Sequence, residues 1–179
     1  IFVTGENQNY KVELRSSMYN EFGLGTQNDI RNTNVGTPYA EGLDKNSGAS
    51  LRLGRQSKST GGVFGRFDGG VAGWKLNKQV KLQAYAGSPV YSRAAKPFAD
   101  GRLMYGASID YTFPNDELST SLYIMEQDIK KIVDRRAIGM DVRYANNRMF
   151  AYASADYDIF YKQLNLAYVS ATWNYSLGN

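Results

Sequence analysis

The 179-residue chain has 21 basic and 17 acidic residues, a formal net charge of +4, and neither cysteine nor histidine. The absence of both excludes disulfides, thiolate metal sites and the commonest general base and metal ligand. At a mean hydropathy of −0.47, no stretch approaches the ~20 apolar residues of a membrane helix. We therefore expect neither enzymatic activity nor a cofactor or metal. Because basic and acidic residues are interleaved, we also expect no nucleic-acid partner.

The first predicted strand covers residues 10 to 18 and alternates charged and apolar positions. Its charged positions are Lys11, Glu13 and Arg15. Residues 20 to 48 are rich in Gly, Asn, Thr and Asp, but they exceed the usual length of a structureless loop. We therefore expect a short strand around residues 38 to 43.

The next strand begins at residue 49 and runs into a glycine-rich segment, residues 57 to 73, with six glycines. Glycine permits positive backbone angles and close approach of another backbone. Three interpretations stay open. A phosphate-cradling loop would need a Gly-x-x-x-x-Gly-Lys-Ser/Thr order that is absent; the others are an inward-folded constriction carrying Arg66 and Asp68, and a plain turn followed by a glycine-kinked strand.

A tight hairpin follows, with strands over residues 72 to 76 and 80 to 87. Another long connection, residues 88 to 101, comes next, so long and short connections alternate as in barrels with extended extracellular loops and brief periplasmic turns. By this order the turns near residues 77, 115 and 146 are periplasmic. The long segment at 20 to 48 breaks the order unless it contains the expected strand.

The alternation is clearest between residues 102 and 144, where runs of about a dozen residues are separated by polar turns. A tilted strand needs about 9–11 residues to cross the hydrocarbon of a bilayer, whereas strands in soluble proteins average about 5–6. The length therefore favours transmembrane strands. The predicted lipid-facing residues are Leu103, Tyr105, Ile109, Tyr111, Phe113, Leu122, Ile138, Val142 and Tyr144.

The opposite face of the same strands is predicted to be polar. In the last third, where both faces become apolar near Trp173, we assign Ala151, Ala153, Ala155 and Tyr157 to the outer face. This choice sends two carboxylates inward, where they could meet Arg143 or bind a cation. The predicted lumen-lining residues are Lys11, Glu13, Arg15, Arg52, Gln56, Lys75, Lys81, Asp110, Asp141, Arg143, Asp156 and Asp158.

Three short motifs carry a resemblance. They are Gly54-Arg55-Gln56 with the stretch from Gly61 to Gly69, the stretch from Asp134 to Gly139, and Asp156-Tyr157-Asp158. Together they resemble the barrel domains of large Gram-negative outer-membrane proteins, over roughly residues 50 to 170. The resemblance implies a barrel longer than this chain, and the non-aromatic ending, residues 176 to 179, also favours an incomplete one.

The sequence thus predicts an all-β, antiparallel transmembrane β-barrel, or a part of a larger one, with eight or nine strands in a single domain over residues 1 to 179. A large barrel would be a pore for polar solutes or an exported polymer, because mixed charges would line a water-filled lumen. Its expected partners are outer-membrane lipid, lipopolysaccharide and further strands or subunits. The alternatives are a small filled barrel that acts as an anchor or adhesin, and a secreted soluble β-sandwich that binds ligands.

Overall fold

A computed structural model describes residues 1–16, 18–21, 32–35, 38–63, 65–91 and 101–174. This part of the chain is all-β, and eleven of its strands form one antiparallel sheet. The strands are β1 (Phe2–Glu6), β2 (Tyr10–Arg15), β3 (Met18–Glu21), β4 (Asn32–Val35), β5 (Tyr39–Asp44), β6 (Ala49–Lys58), β7 (Gly65–Lys75), β8 (Val80–Val90), β9 (Arg102–Thr112), β10 (Leu118–Ile129), β11 (Ile132–Ala145), β12 (Met149–Asp158) and β13 (Gln163–Trp173). Among these residues, no helix has the length and apolar character needed to span a bilayer.

The sheet runs in the order β1-β2-β5-β6-β7-β8-β9-β10-β11-β12-β13, and β3 pairs with β4 separately. The antiparallel all-β prediction is confirmed, but the expected eight or nine strands undercount the sheet. In the described part of the chain no ladder joins β1 to β13, so the sheet is open and closure into a barrel stays a proposal.

The expected short strand at residues 38 to 43 is confirmed as β5, and the strand predicted over 10 to 18 ends earlier, at Arg15. With β5 in place, the turns at residues 7–9, 45–48, 76–79, 113–117 and 146–148 all lie on one edge of the sheet, which we call the turn edge. The connections at 130–131 and 159–162 lie on the opposite, loop edge. Much of the two long connections, between 20 and 48 and between 88 and 101, falls outside the described residues.

Each side of the sheet has its own chemistry, because strand side chains alternate between faces. On the apolar face, unbroken rows of register partners cross seven strands from β6 to β12. One such row is Ala49, Trp74, Leu82, Ile109, Leu122, Met140 and Ala155. The corresponding row on the polar face is Lys75, Lys81, Asp110, Ser121, Asp141 and Ser154.

Two tyrosines on the polar face lie across glycines of the neighbouring strand. Tyr85 is the register partner of Gly106, and Tyr123 is the partner of Gly139. A Cβ at Gly106 would lie 2.4 Å from the Tyr85 hydroxyl oxygen, and one at Gly139 would lie 2.3 Å from Tyr123 Cζ. Each ring therefore lies against the backbone of a glycine, where a larger residue would displace the ring. This fit fixes the pairing register of these strands.

Candidate functional site

The connection between β6 and β7 folds onto the polar face. We call residues 60–63 the inward loop. Gly61, Gly62 and Val63 are buried, and Val63 is only 4% exposed. The loop connects β6 to β7, but the residues that bind it come from β8 and β11. It therefore extends across several strands of the sheet.

Side chains of β8 and β11 hold the backbone of the inward loop by hydrogen bonds. The Gly61 amide donates to Asp141 Oδ2 at 3.1 Å, and the Tyr85 hydroxyl donates to the Gly61 carbonyl at 2.6 Å. Arg135 Nη1 donates to the Gly62 carbonyl at 3.1 Å. Backbone groups of the loop are thus satisfied by side chains of the sheet, as buried polar groups require.

Glycine at position 62 is a steric requirement of this arrangement. Its φ of +78° is disfavoured for L side chains, and a Cβ there would lie 2.7 Å from Cε2 of Tyr123. The loop backbone therefore lies directly against an aromatic ring of β10.

An apolar cluster lies beneath the loop. Val63 is buried in it with residues from β7 to β11, namely Phe67, Tyr85, Met104, Met125 and Ala137. All are 4% exposed or less. The part of the polar face nearest the loop edge is thus packed with apolar side chains. The open part of this face is therefore the half nearest the turn edge.

Two buried aspartates anchor this arrangement. Asp141 Oδ1 accepts hydrogen bonds from the hydroxyls of Tyr152 at 3.0 Å and Ser154 at 2.7 Å. Its other oxygen receives the Gly61 amide. Each oxygen of this carboxylate therefore has at least one donor, so the inward loop is fastened to a residue that β12 holds in place.

Asp156 is fully buried and forms an ion pair with Arg135. It also accepts from the Tyr123 hydroxyl at 2.7 Å and from Asn165 Nδ2 at 2.9 Å. Asp158 caps the turn after β12, where it accepts from the amides of residues 160 and 161 at 2.8 and 2.9 Å. These contacts do not involve Arg143, and both carboxylates serve structural pairing.

The half of the polar face nearest the turn edge is open. A cavity of about 470 Å³ lies there between β7 and β12, lined by Lys75, Lys81, Asp110, Arg143 and Tyr152 among others. Asp110 accepts from Ser121 Oγ at 2.6 Å and from Gln83 Nε2 at 2.8 Å. Water and polar solutes can therefore approach charged groups from this side.

A smaller cavity of about 120 Å³ lies beside it, near β5 and β6. Arg52 donates to Glu41 Oε2 through Nε at 3.0 Å and Nη2 at 2.6 Å there. From β5, the hydroxyl of Tyr39 donates to Glu13 of the adjacent strand β2 at 2.7 Å. The mixed charges at this side of the sheet form local pairs.

The register places all twelve predicted lumen residues on the polar face and eight of the nine predicted lipid-facing residues on the apolar face. The ninth, Phe113, directly follows β9, and its ring packs edge-to-face on that of Tyr111 at 4.9 Å. Arg66 and Asp68, by contrast, point to the apolar face. Asp68 is 5% exposed and pairs there with Arg55 at 2.8 and 2.9 Å. The glycine-rich segment does fold onto the polar face, but the residues that do so are 60–63. The placement of Arg66 and Asp68 in this inward fold is therefore wrong.

The contacts that sequence reasoning missed are those of Tyr85, Tyr123 and Arg135 with the loop. The density of glycines between residues 57 and 73 identified the segment, but nothing local to it identified its partners. Comparisons of the chain with protein-family models, with curated proteins and with solved structures found no match.

Proposed function

We propose that this sheet is a portion of a β-barrel of the Gram-negative outer membrane, and that its polar face lines a pore for polar solutes or an exported polymer. The observation that carries the proposal is the contrast between the two faces of one long-stranded sheet. Continuous apolar rows cross the middle of one face, whose Arg55–Asp68 and Glu126–Arg136 pairs lie near the loop edge, while charged and hydroxyl side chains occupy the turn-edge half of the other. Lipid on one side and water on the other account for that contrast.

The apolar face has the order of residues expected of a surface in contact with lipid. Leu122 and Ile124, midway along β10, are 51% and 61% exposed. Soluble monomers rarely expose contiguous apolar surface across many strands. Aromatic residues flank this aliphatic middle as interfacial girdles do, with Tyr111, Phe113 and Tyr144 toward the turn edge and Tyr105 and Tyr157 toward the loop edge.

Strand length supports the same proposal. Strands β6 to β13 have between 10 and 14 residues, enough for a tilted strand to cross the hydrocarbon. The open edges at β1 and β13 would then pair with further strands or subunits, because an unpaired edge in lipid leaves backbone groups without partners. Lipid and lipopolysaccharide are the partners proposed for the apolar face.

Within such a pore the inward loop would be the constriction. It occupies the loop-edge half of the polar face and leaves the turn-edge cavity of about 470 Å³ open. A single chain of eleven strands and an inward loop could instead be a filled barrel that serves as an anchor or adhesin. The buried cluster around Phe67 and Val63 favours this second candidate.

Bilayer insertion is tested by the two tryptophans of the chain. Trp74 and Trp173 are both on the apolar face and are 53% and 66% exposed. In vesicles of brominated phosphatidylcholine we expect strong quenching of their fluorescence relative to unbrominated vesicles. A control with both replaced by phenylalanine and with Tyr152→Trp as the reporter, on the polar face, should resist quenching.

Equal fluorescence in the two vesicle types, with a chain that stays soluble without detergent, would instead favour a β-sandwich. Pore formation is tested separately by conductance in a planar bilayer, with the chain and with the complete product of its gene. Steady current steps from the complete product support a pore. Silence from both, together with quenched tryptophans, would favour the filled barrel.

A further inference from the structure

We infer that the turn-edge cavity selects anionic solutes, that is, small molecules that carry phosphate, carboxylate or sulfate groups. The inference rests on the proposed function, because it names the class of solute that the proposed pore would take. Its basis is the state of the charged side chains that line the cavity. The two acidic ones on its strands, Asp110 and Asp141, are already engaged by protein donors, whereas several basic ones keep their donors available.

The two carboxylates on the strands of this cavity have little left to offer a cation. Both oxygens of Asp110 accept hydrogen bonds, from Ser121 and from Gln83. Asp141 accepts three, and it is only 4% exposed. These donors occupy two of the roughly four acceptor positions of Asp110 and three of those of Asp141, which lowers what either carboxylate can offer a cation.

The basic side chains of the cavity differ. Within the described residues, Lys75, Lys81 and Arg143 make no ion pair. Lys81 neighbours Asp110 in the register, yet the two are not within ion-pair distance, because Asp110 is held by its two donors. The ammonium and guanidinium groups can therefore donate to a ligand.

The pairing of β7 with β8 adds an independent observation. Lys75 and Lys81 are direct register partners on the same face. Like charges directly opposite each other destabilise an antiparallel pair. An anion bound near both side chains would lower that repulsion.

The charge balance of the cavity lining points the same way. Four basic residues line it, Lys75, Lys78, Lys81 and Arg143, against three acidic ones, Asp110, Asp116 and Asp141. Walls of low dielectric focus the field of such a cleft and raise the local concentration of the opposite charge. Rings of lysine and arginine are also how anion and phosphate pores select their ions.

The test is the reversal potential of single channels across a potassium chloride gradient, measured on the complete gene product. We expect chloride to be more permeant than potassium. The double variant Lys81→Glu with Arg143→Glu should shift the permeability ratio toward potassium by at least about tenfold, since one unit charge at close range in water is worth about fivefold and the variant lowers the cavity charge by four units. The control Lys162→Glu makes the same charge change as either of these substitutions, but in an exposed turn at the loop edge, and should leave the ratio unchanged.

Cation selectivity in the unaltered protein would overturn the inference and leave the pore standing. Channels that are silent throughout would overturn the proposed function instead. In that case a titration with inorganic pyrophosphate in detergent, followed by phosphorus NMR, decides the inference. Saturable binding that the Lys81→Glu, Arg143→Glu variant abolishes and Lys162→Glu retains would support an anion site, and equal or absent binding in all three would overturn it.

Discussion

The backbone amide of Gly61 donates a hydrogen bond to the carboxylate of Asp141, 3.1 Å away and 80 residues later in the chain. This bond ties the inward loop to β11, across the strands that lie between. It joins the filled half of the polar face to the open half, because Asp141 also lines the turn-edge cavity. The bond is therefore one of the contacts that hold the loop, together with those of Tyr85 and Arg135.

Asp141→Asn should weaken this attachment specifically. One amide oxygen can still accept from Tyr152 and Ser154, but the amide nitrogen would then face the Gly61 N–H, donor against donor. We expect a loss of about 1–3 kcal/mol in the free energy of unfolding, the cost of an unsatisfied buried donor. Urea unfolding in detergent micelles measures it, and the exposed turn variant Asp116→Asn is the control, expected to change stability by less than about 0.5 kcal/mol.

Gly62→Ala should displace the inward loop. The substitution adds a Cβ at a φ of +78°, 2.7 Å from Tyr123 Cε2, so either the loop or the ring has to move. We expect a loss of about 1–2 kcal/mol from the left-handed backbone alone, and a larger single-channel conductance if the loop narrows a pore. Gly42→Ala is the matched control, because a Cβ there meets nothing within 4 Å. Equal stability of the two variants would contradict the buried position of the loop.

Ile124→Arg separates a lipid-facing surface from a water-facing one. Ile124 is 61% exposed on the apolar face. In a bilayer, an arginine at mid-depth costs about 2–4 kcal/mol, whereas an exposed position in a soluble protein tolerates it within about 0.5 kcal/mol. Unfolding from vesicles gives the value, with Thr112→Arg on the polar face as control. A negligible effect at Ile124 would argue against a bilayer around this face.

The two-residue turn between β10 and β11 offers a stabilising change. Lys130 and Lys131 have φ values of 51° and 69°, a backbone suited to Asn-Gly rather than to lysine. The double variant Lys130→Asn, Lys131→Gly should raise the free energy of unfolding by about 1 kcal/mol. Lys78→Gly, in a turn without such angles, should give no gain. A lower unfolding midpoint for the double variant would mean that the lysines have another role there.

The facing of the strands was predictable because alternation is a local property. From Tyr105 to Thr112 the polarity of successive residues alternates between the faces, and the register agrees. Met104 departs from the pattern, because it packs into the apolar cluster beneath the inward loop. The same alternation predicts the face of Asp68 correctly, because Asp68 lies six residues before Trp74 and therefore on the same, apolar face. The charge of Asp68 suggested the polar face instead. Asp68 is nevertheless accommodated on the apolar face, because it forms a buried ion pair with Arg55 there.

The inward loop was only partly predictable. Six glycines indicated unusual backbone, but the partners of Gly61 and Gly62 come from β8, β10 and β11, far along the chain. No periodic pattern encodes such distant contacts. Strand β1 was missed for a different reason, because all five of its residues are exposed and carry too little contrast between faces.

From β6 to β12, every strand is hydrogen-bonded to the strand before it and the strand after it in the chain. In such a meander, one hairpin can be duplicated or lost without any other pairing being rewired. The width of the sheet is therefore adjustable in steps of two strands, while the residues that hold the inward loop, within β8 to β11, keep their neighbours. In the proposed pore, the number of hairpins would set the bore independently of its narrowest point.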